Sequence, residues 1–154
     1  MLKVLIVDDE AIVLQTIVKT LNWSKLEMEC QTSDNSLKAF EMAKKNPPDI
    51  LITDICMPGM NGIELIHKIQ QLNPDIETLI LSGYDDFKYA REAIRLGVYD
   101  YLLKPVQKHH LINAVTMTIQ KITEQRNQSK YISRLKHQLS ESLYEERERF
   151  LLSL

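Results

Sequence analysis

The chain has 154 residues, enough to bury one core of ordinary size with a segment left over. Its net charge of −2 excludes a basic footprint for nucleic acid, so this chain is not itself expected to read DNA. The longest apolar runs have five or six residues, far fewer than a membrane span needs, and the N-terminus leads straight into a strand rather than a signal peptide. We therefore expect a cytoplasmic protein that does not enter a membrane.

Strands and amphipathic helices alternate along most of the chain. Short apolar runs bounded by turn-forming residues predict strands at residues 2–7, 28–32, 50–54, 76–81 and 98–103. Apolar residues at helical spacing predict helices at residues 11–21, 36–45, 60–72 and 87–96, and a last one that begins near residue 108. This alternation predicts an α/β protein with a doubly wound five-stranded parallel sheet, which in its flavodoxin-like form has the strand order 2-1-3-4-5.

The helical spacing also predicts which side chains cover the sheet. From the first helix to the last, they are Leu14, Ile17, Val18 and Leu21; Leu37, Phe40, Met42 and Ala43; Ile63, Leu65, Ile66, Ile69 and Leu72; Phe87, Ala90, Ala93, Ile94 and Leu96; and Leu111, Val115 and Ile119. Val13 lies off the apolar face of the first helix and is expected to be exposed. Cys30 and Cys56 are far apart and form no Cys-x-x-Cys motif, so we expect two buried or half-buried thiols outside any disulfide or zinc site.

The character of the chain changes beyond Ile122. Residues 124–130 include no apolar side chain, and then Ile132, Leu135, Leu139 and Leu143 return at spacings of three and four. This narrow stripe is too short to define a coiled coil and fits a solvated tail helix or a dimerising linker. We favour the linker, because the apolar residues 150–154 are typical of a chain that continues into another domain. We thus assign residues 1–125 to one domain and residues 126–154 to an extended helical linker toward an output domain outside this chain.

Functional side chains stand at the carboxyl ends of four predicted strands. Asp8 and Asp9 follow the first strand, Asp54 ends the third, Ser82 follows the fourth and Lys104 follows the fifth. The first and third strands are neighbours in the 2-1-3-4-5 order, so the three carboxylates should converge at one edge of the sheet. Their charges repel unless a hard cation gathers them, and an all-oxygen pocket suits Mg²⁺. A carboxylate beside Mg²⁺, a lysine and a hydroxyl predicts a phosphoryl-transfer site with Asp54 as the nucleophile.

The strand ends also carry four longer motifs. These are Val7-Asp8-Asp9-Glu10, Asp54-Ile55-Cys56-Met57-Pro58-Gly59-Met60-Asn61-Gly62, Ser82-Gly83 and Tyr101-Leu102-Leu103-Lys104-Pro105. With them the chain resembles the receiver domain of bacterial two-component response regulators over about residues 1–125. The resemblance implies a CheY-like signalling domain, rather than an enzyme, that takes a phosphoryl group from a sensor histidine kinase.

The resemblance also implies a role for each residue of the site. Asp54 corresponds to the phosphoacceptor, and Asp8, Asp9 and the backbone carbonyl of Cys56 correspond to the other Mg²⁺ ligands.

Ser82 and Lys104 correspond to the pair that holds the phosphoryl oxygens, and Tyr101 to the aromatic switch residue. Phosphorylation then alters the face formed by the fourth helix, fifth strand and fifth helix, and this face or the linker is expected to form a homodimer.

A second set of residues suggests the kind of output. Leu21-Asn22-Trp23, and Ser82-Gly83-Tyr84-Asp85-Asp86-Phe87 with Tyr89-Ala90, are similar to receivers joined to AraC-type helix-turn-helix domains. This similarity implies transcription control, with DNA bound only through the output domain.

Three other functions are alternatives to this one. A haloacid-dehalogenase-like phosphohydrolase needs a second Asp two residues after the nucleophile, where this chain has Cys56. A flavodoxin-type FMN carrier needs a phosphate loop after the first strand, where Asp8, Asp9 and Glu10 would repel phosphate. A stand-alone phosphorelay receiver without a DNA-binding output remains open.

Overall fold

The structure is a computed structural model that describes residues 1–83 and 88–152, with side chains described as far as residue 149. Its strands are β1 (Leu2–Val7), β2 (Met28–Ser33), β3 (Ile50–Asp54), β4 (Glu77–Ser82) and β5 (Asp100–Leu103). They are all parallel and lie in the order β2-β1-β3-β4-β5. The predicted flavodoxin-like α/β fold and strand order are confirmed.

The helices in the described ranges are α1 (Ala11–Thr20), α2 (Ser36–Lys45), α3 (Gly62–Leu72), α4 (Ala90–Arg95) and α5 (Lys108–Leu152). The extended C-terminal helix is confirmed. α4 is shorter than predicted, and the expected start of this helix at Phe87 lies outside the described residues. Gly97 follows α4 with a φ of +75°, a conformation that favours glycine and ends a helix.

Two compact units divide the chain. The first, Met1–Thr118, contains the sheet and its core, and the second, Ile119–Leu154, contains the C-terminal part of α5. Every side chain from residue 123 to residue 149 is exposed. The apolar residues 150–154, which motivated the linker prediction, lie outside the described side chains.

None of the helices in the described part of the chain combines the length and the apolar character that crossing a membrane requires.

The central strand β3 is buried along its whole length. Ile50, Leu51 and Ile52 are each 0% exposed. The register places Ile52 between Ile6 of β1 and Leu79 of β4. A strand covered on both faces reads as a continuous apolar run, as this one does. Asp54 therefore leaves the sheet at its centre, with the ends of two other strands beside it.

Some helix faces differ from the prediction. Four residues expected to cover the sheet are substantially exposed: Val18 (37%), Leu37 (59%), Leu72 (48%) and Ile94 (74%). In α2 the fully buried apolar residues are Ala39 and Ala43, whose small side chains allow close packing on the sheet. The buried stripe of this helix is therefore centred away from Leu37.

The expected exposure of Val13 is also wrong, since this residue is half-buried and Ile12 is 78% exposed. Ile17 is the buried residue of α1, and Val13 lies one turn before it on the same face. Cys56 is exposed rather than buried, because it lies in the loop that leaves the sheet after β3. Cys30 is half-buried as predicted, and burial raises the pKa of its thiol to about 11.

Candidate functional site

The strand register brings the predicted strand-end residues to one edge of the sheet. Val7 pairs with Thr53, so the residues that follow them, Asp8 and Asp54, leave neighbouring strands side by side. On the other side of β3, Asp54 pairs with Leu81.

Ser82, the residue after Leu81, pairs with Leu103 of β5, and Lys104 comes next in the chain. The backbone N–H of Lys104 donates a hydrogen bond of 2.7 Å to the carbonyl of Ser82. Parallel pairing alone thus places an acid, a hydroxyl and a lysine around Asp54.

Lys104 connects the acids of this edge. Its Nζ lies 2.9 Å from Oδ2 of Asp8, 3.1 Å from Oδ2 of Asp54 and 3.7 Å from Oε1 of Glu10. The side chains of Asp8 and Asp54 are almost completely buried, whereas that of Glu10 is 65% exposed. Sequence reasoning did not assign Glu10 a role, although this residue stands in the same acidic run as Asp8.

The buried acids carry more negative charge than one lysine balances. Burial, and next the charge of Asp8, raise the pKa of Asp54 to about 6, although Lys104 opposes the shift. Burial also raises the pKa of Asp8, against the hydrogen bond from the N–H of Glu10 and the contact with Lys104. Burial lowers the pKa of Lys104, but its bonds to Asp8 and Asp54 outweigh that effect and raise it. A further cation at this edge would relieve the repulsion.

The acids fit a hard metal ion. Carboxylate oxygens of Asp8, Asp9 and Glu10 lie within 4.8 Å of one another, and Asp9 and Glu10 are exposed. The predicted metal ligands were Asp8, Asp9, Asp54 and the carbonyl of Cys56. The cluster in the structure contains Glu10 in addition to Asp8 and Asp9. Asp54 is connected to this cluster through Lys104, which contacts both Asp8 and Asp54. All donors of the cluster are oxygens, and Mg²⁺ prefers oxygen ligands and retains several waters.

Ser82 and Tyr101 lie on the neighbouring strands β4 and β5. Ser82 is fully buried, and its Oγ makes no hydrogen bond within the described residues. Tyr101 is half-buried, packs against the main core cluster and pairs in register with Ile80 of β4. It also lines a crevice of about 320 Å³ between β5 and α5, together with His110 and Asn113.

The loop after β3 is held against Asp54 by backbone contacts. The N–H of Ile55 donates to Oδ1 of Asp54 at 2.8 Å, and the N–H of Gly62 donates to the carbonyl of Ile55 at 2.7 Å. A β-carbon on Gly62 would overlap the carbonyl oxygen of Asp54 and lie 2.9 Å from its carbonyl carbon. Cys56, whose carbonyl was predicted to bind metal, lies in this loop and is exposed.

Residues 4–116 match the family described as the response regulator receiver domain. The uncharacterized transcriptional regulatory protein YesN of Bacillus subtilis is 36% identical over 140 residues, which are 90% of this chain and 38% of that protein. The transcriptional regulatory protein HptR of Staphylococcus aureus is 35% identical over 130 residues, which are 84% of this chain and 51% of that protein. The chain thus spans 38% of the length of one of these relatives and 51% of the other.

Solved structures agree with this comparison. The receiver domain of AraT, a response regulator from Geobacillus stearothermophilus, superposes with a TM-score of 0.77 at 36% identity, over 81% of this chain and 98% of that one. A two-component transcriptional regulator AraC from Clostridium phytofermentans superposes with a TM-score of 0.74 at 33% identity, over 83% of this chain and 99% of that one.

The crowded acids predict a pH-dependent gain in stability for Asp54→Asn. The folded-state pKa of Asp54, about 6, lies above its ordinary value of 3.8, so the folded chain holds the extra proton between these values. The protonated Asp54 carboxyl therefore makes its full contribution to the free energy of unfolding below about pH 4, and this contribution is lost as the pH rises through about 6. In metal-free buffer at pH 7, Asp54→Asn should raise the free energy of unfolding by about 2 kcal/mol, and the gain should shrink toward pH 4.

Urea unfolding at a series of pH values measures this difference. Asp34→Asn is the matched control, because Asp34 is exposed and its replacement should change stability by less than about 0.5 kcal/mol. An Asp54→Asn chain no more stable than wild type at pH 7 would show that burial and Asp8 do not raise the pKa of Asp54.

The close approach at Gly62 predicts a large cost for Gly62→Ala. The new methyl must push the Asp54 carbonyl or the α3 N-terminus away, which should lower the free energy of unfolding by about 3 kcal/mol. Gly59→Ala is the comparison, because Gly59 has a φ of +80° but no atom within 4 Å of its added β-carbon. Its cost should be about 1 kcal/mol, from backbone strain alone. Equal losses in urea unfolding would show that the contact with Asp54 is not what restricts Gly62.

Proposed function

Because this chain belongs to the response regulator receiver family, we propose that Asp54 accepts a phosphoryl group from a sensor histidine kinase and that the phosphorylated domain switches a transcriptional output. The observation that carries the proposal is the Lys104 ammonium, placed between the carboxylates of Asp54 and Asp8. Receivers are signalling domains rather than conventional enzymes, so we propose only self-phosphorylation and self-dephosphorylation chemistry here.

Asp8, Asp9, Asp54 and the carbonyl of Cys56 are the proposed Mg²⁺ ligands, with Glu10 beside them. The acidic cluster and the raised pKa values of Asp8 and Asp54 support this assignment. When bound, the ion supplies positive charge that neutralises the acids and the incoming phosphoryl oxygens.

The proposed transfer step uses the ionised form of Asp54. Oδ2 donates its electron pair to phosphorus, and an O–P bond forms as the bond from phosphorus to the kinase histidine breaks. The leaving imidazole keeps that electron pair. Lys104, already 3.1 Å from Oδ2, pairs with one phosphoryl oxygen, and Ser82 donates its hydroxyl proton to another.

Ser82 and Tyr101 carry the proposed switch. The phosphoryl group adds roughly two negative charges and three acceptor oxygens to Asp54. The Ser82 hydroxyl, which bonds to no other described residue, can turn toward them without losing a partner. Tyr101 then moves inward to fill the space beside Ser82, which alters the surface of α4, β5 and α5.

The output proposal rests on the relatives. YesN, HptR and the Clostridium phytofermentans protein are named as transcriptional regulators, and the first two are at least about twice as long as the matched segment. We propose that residues 1–125 are the receiver and that residues 126–154 lead to an AraC-type output domain, which alone contacts DNA in the cytoplasm. This evidence favours a transcription factor over a stand-alone relay receiver.

Asp54→Ala should abolish phosphorylation, because Asp54 is the one carboxylate among the described residues that both contacts Lys104 and lies on the strand next to β4. The measurement is intact mass after incubation with acetyl phosphate and Mg²⁺, or with a phosphorylated histidine kinase. Wild type should gain one phosphoryl group, and EDTA should prevent the gain.

Asp34→Ala, at an exposed acid that follows β2 at the same edge of the sheet, should label like wild type. Stoichiometric labelling of the Asp54→Ala chain would contradict the proposal.

A homodimer through the switched face is also proposed. Exposed apolar side chains occur on each of its three elements: Ile94 on α4 (74%), Leu103 on β5 (43%) and Met117 on α5 (45%). At low micromolar concentration, beryllofluoride with Mg²⁺, which mimics the phosphoryl group, should shift sedimentation from monomer to dimer. Ile94→Asp should block the shift, because it places a charge within the contact.

Ile12→Asp is the control, since Ile12 on α1 is equally exposed at 78% and lies outside the proposed face. Equal dimerisation of the two variants would exclude this face, without affecting the labelling result.

A further inference from the structure

Glu10 stands at the N-cap of α1, yet its side chain does not cap the helix. The carboxylate makes no capping hydrogen bond, and glutamate is not among the residues that favour this position. Its Oε1 lies 3.7 Å from Nζ of Lys104 instead, and its backbone N–H donates to Oδ1 of Asp8 at 2.9 Å. The side chain of Glu10 is therefore directed to the strand-end site rather than to the start of α1.

The cations of this edge do not balance the charge of Glu10. When ionised, Asp8, Asp9 and Asp54 carry three negative charges. Lys104 and one bound Mg²⁺ together carry three positive charges, which match them. The carboxylate of Glu10 then adds a fourth negative charge. The edge therefore keeps a surplus of negative charge before any phosphoryl group arrives.

This surplus charge lies close to the place where phosphorus must bind. Nζ of Lys104 is 3.7 Å from Oε1 of Glu10 and 3.1 Å from Oδ2 of Asp54, so these two oxygens can be no further apart than the two distances together. That separation is shorter than the Debye length of about 8 Å at physiological salt. An anion that approaches Asp54 is therefore repelled by Glu10 at ordinary ionic strength.

We propose that Glu10 is a specificity-determining residue, which slows the phosphorylation of Asp54 by free anionic donors and so favours transfer from a docked kinase. The inference rests on the proposed phosphoacceptor role of Asp54. A free donor such as an acyl phosphate starts in bulk water, so repulsion by Glu10 adds to its barrier in full. A phosphohistidine in a docked kinase is already beside Asp54, so its ground state and its transition state meet nearly the same repulsion.

Two small donors of different charge test this proposal. In each reaction Oδ2 of Asp54 forms a bond to phosphorus, and acetate or ammonia leaves with the electron pair of the bond that breaks. Acetyl phosphate is close to doubly negative at neutral pH, whereas the protonated nitrogen of phosphoramidate cancels part of its negative charge. The two donors thus deliver the same group to Asp54 but meet Glu10 with different charge.

Glu10→Gln removes the charge and keeps the length of the side chain. At about 0.05 M salt, the second-order rate constant for labelling the 154-residue chain should rise about fivefold with acetyl phosphate and about twofold with phosphoramidate. At about 0.5 M salt the gain with acetyl phosphate should fall below about twofold, because salt screens the repulsion. Intact mass at a series of times measures each rate. Each chain is assayed at a Mg²⁺ concentration beyond which its rate is constant, so a change in metal affinity does not enter the comparison.

Two further measurements separate docking and binding from the reaction with free donors. With the phosphorylated histidine kinase at saturation, the rate constant of transfer to Glu10→Gln should rise by less than about twofold. Beryllofluoride is an anion that binds without phosphoryl transfer. The beryllofluoride concentration that half-saturates the Mg²⁺-loaded chain, followed by fluorine NMR, should fall about twofold in the same variant.

Asp34→Asn is the matched control, because it also removes one exposed negative charge from this edge of the sheet. Asp34 follows β2, which β1 separates from β3 and Asp54. Its rate constants and its half-saturation by beryllofluoride should change by less than about 1.5-fold.

Three results would overturn the proposal: labelling of Glu10→Gln by acetyl phosphate no faster than wild type at low salt, equal gains with the two small donors, or an equal gain with the saturating kinase. A structural role of Glu10 at the start of α1 would change the rates with all donors alike. A wild-type chain that no donor labels at Asp54 would instead refute the phosphoacceptor proposal, and this one with it.

Discussion

The contact of one lysine with two buried carboxylates is the interaction on which the rest of the structure depends. Lys104 lies 2.9 Å from Asp8 and 3.1 Å from Asp54, and both acids are almost completely removed from water. A buried carboxylate is costly unless it is paired, and two together are more so. The fold must therefore hold Lys104 in place, and it does so by ending β5 beside β4 and bonding the lysine N–H to the Ser82 carbonyl. A cation positioned in advance lowers the reorganisation that a charge-transferring step requires.

The sheet supplies this arrangement through register rather than through a specialised loop. β3 lies between β1 and β4, and its apolar run fixes the register because a shift by one residue would draw Asp49 or Asp54 into the buried part of the strand. Once that register is set, Asp8 and Asp54 are neighbours and Ser82 follows the residue beside Asp54. Gly62 then lets the loop after β3 return closely against Asp54. Core packing and site geometry are thus consequences of the same apolar run.

Much of the fold and the site could be predicted from the sequence, because both depend on where apolar runs end. The strand at residues 50–54 and the polar groups after four strands required only the pattern of burial and the rules of parallel sheets. Helix orientation was less predictable. Leu37 and Ile94 are apolar and correctly spaced but exposed, whereas Ala39, which was not predicted to cover the sheet, is fully buried, because close backbone approach depends on small side chains. The position of Glu10 beside Lys104 also required coordinates, since an exposed acid in an acidic run has no periodic signal.

The most direct test of the central claim is a crystal structure of the chain with Mn²⁺ in place of Mg²⁺ and with beryllofluoride. The account predicts an anomalous peak among Asp8, Asp9, Asp54 and the carbonyl of Cys56, beryllium bonded to Asp54, and both Lys104 and Ser82 in contact with its fluorides. Manganese bound elsewhere, or beryllofluoride absent from Asp54 at saturating concentration, would contradict it.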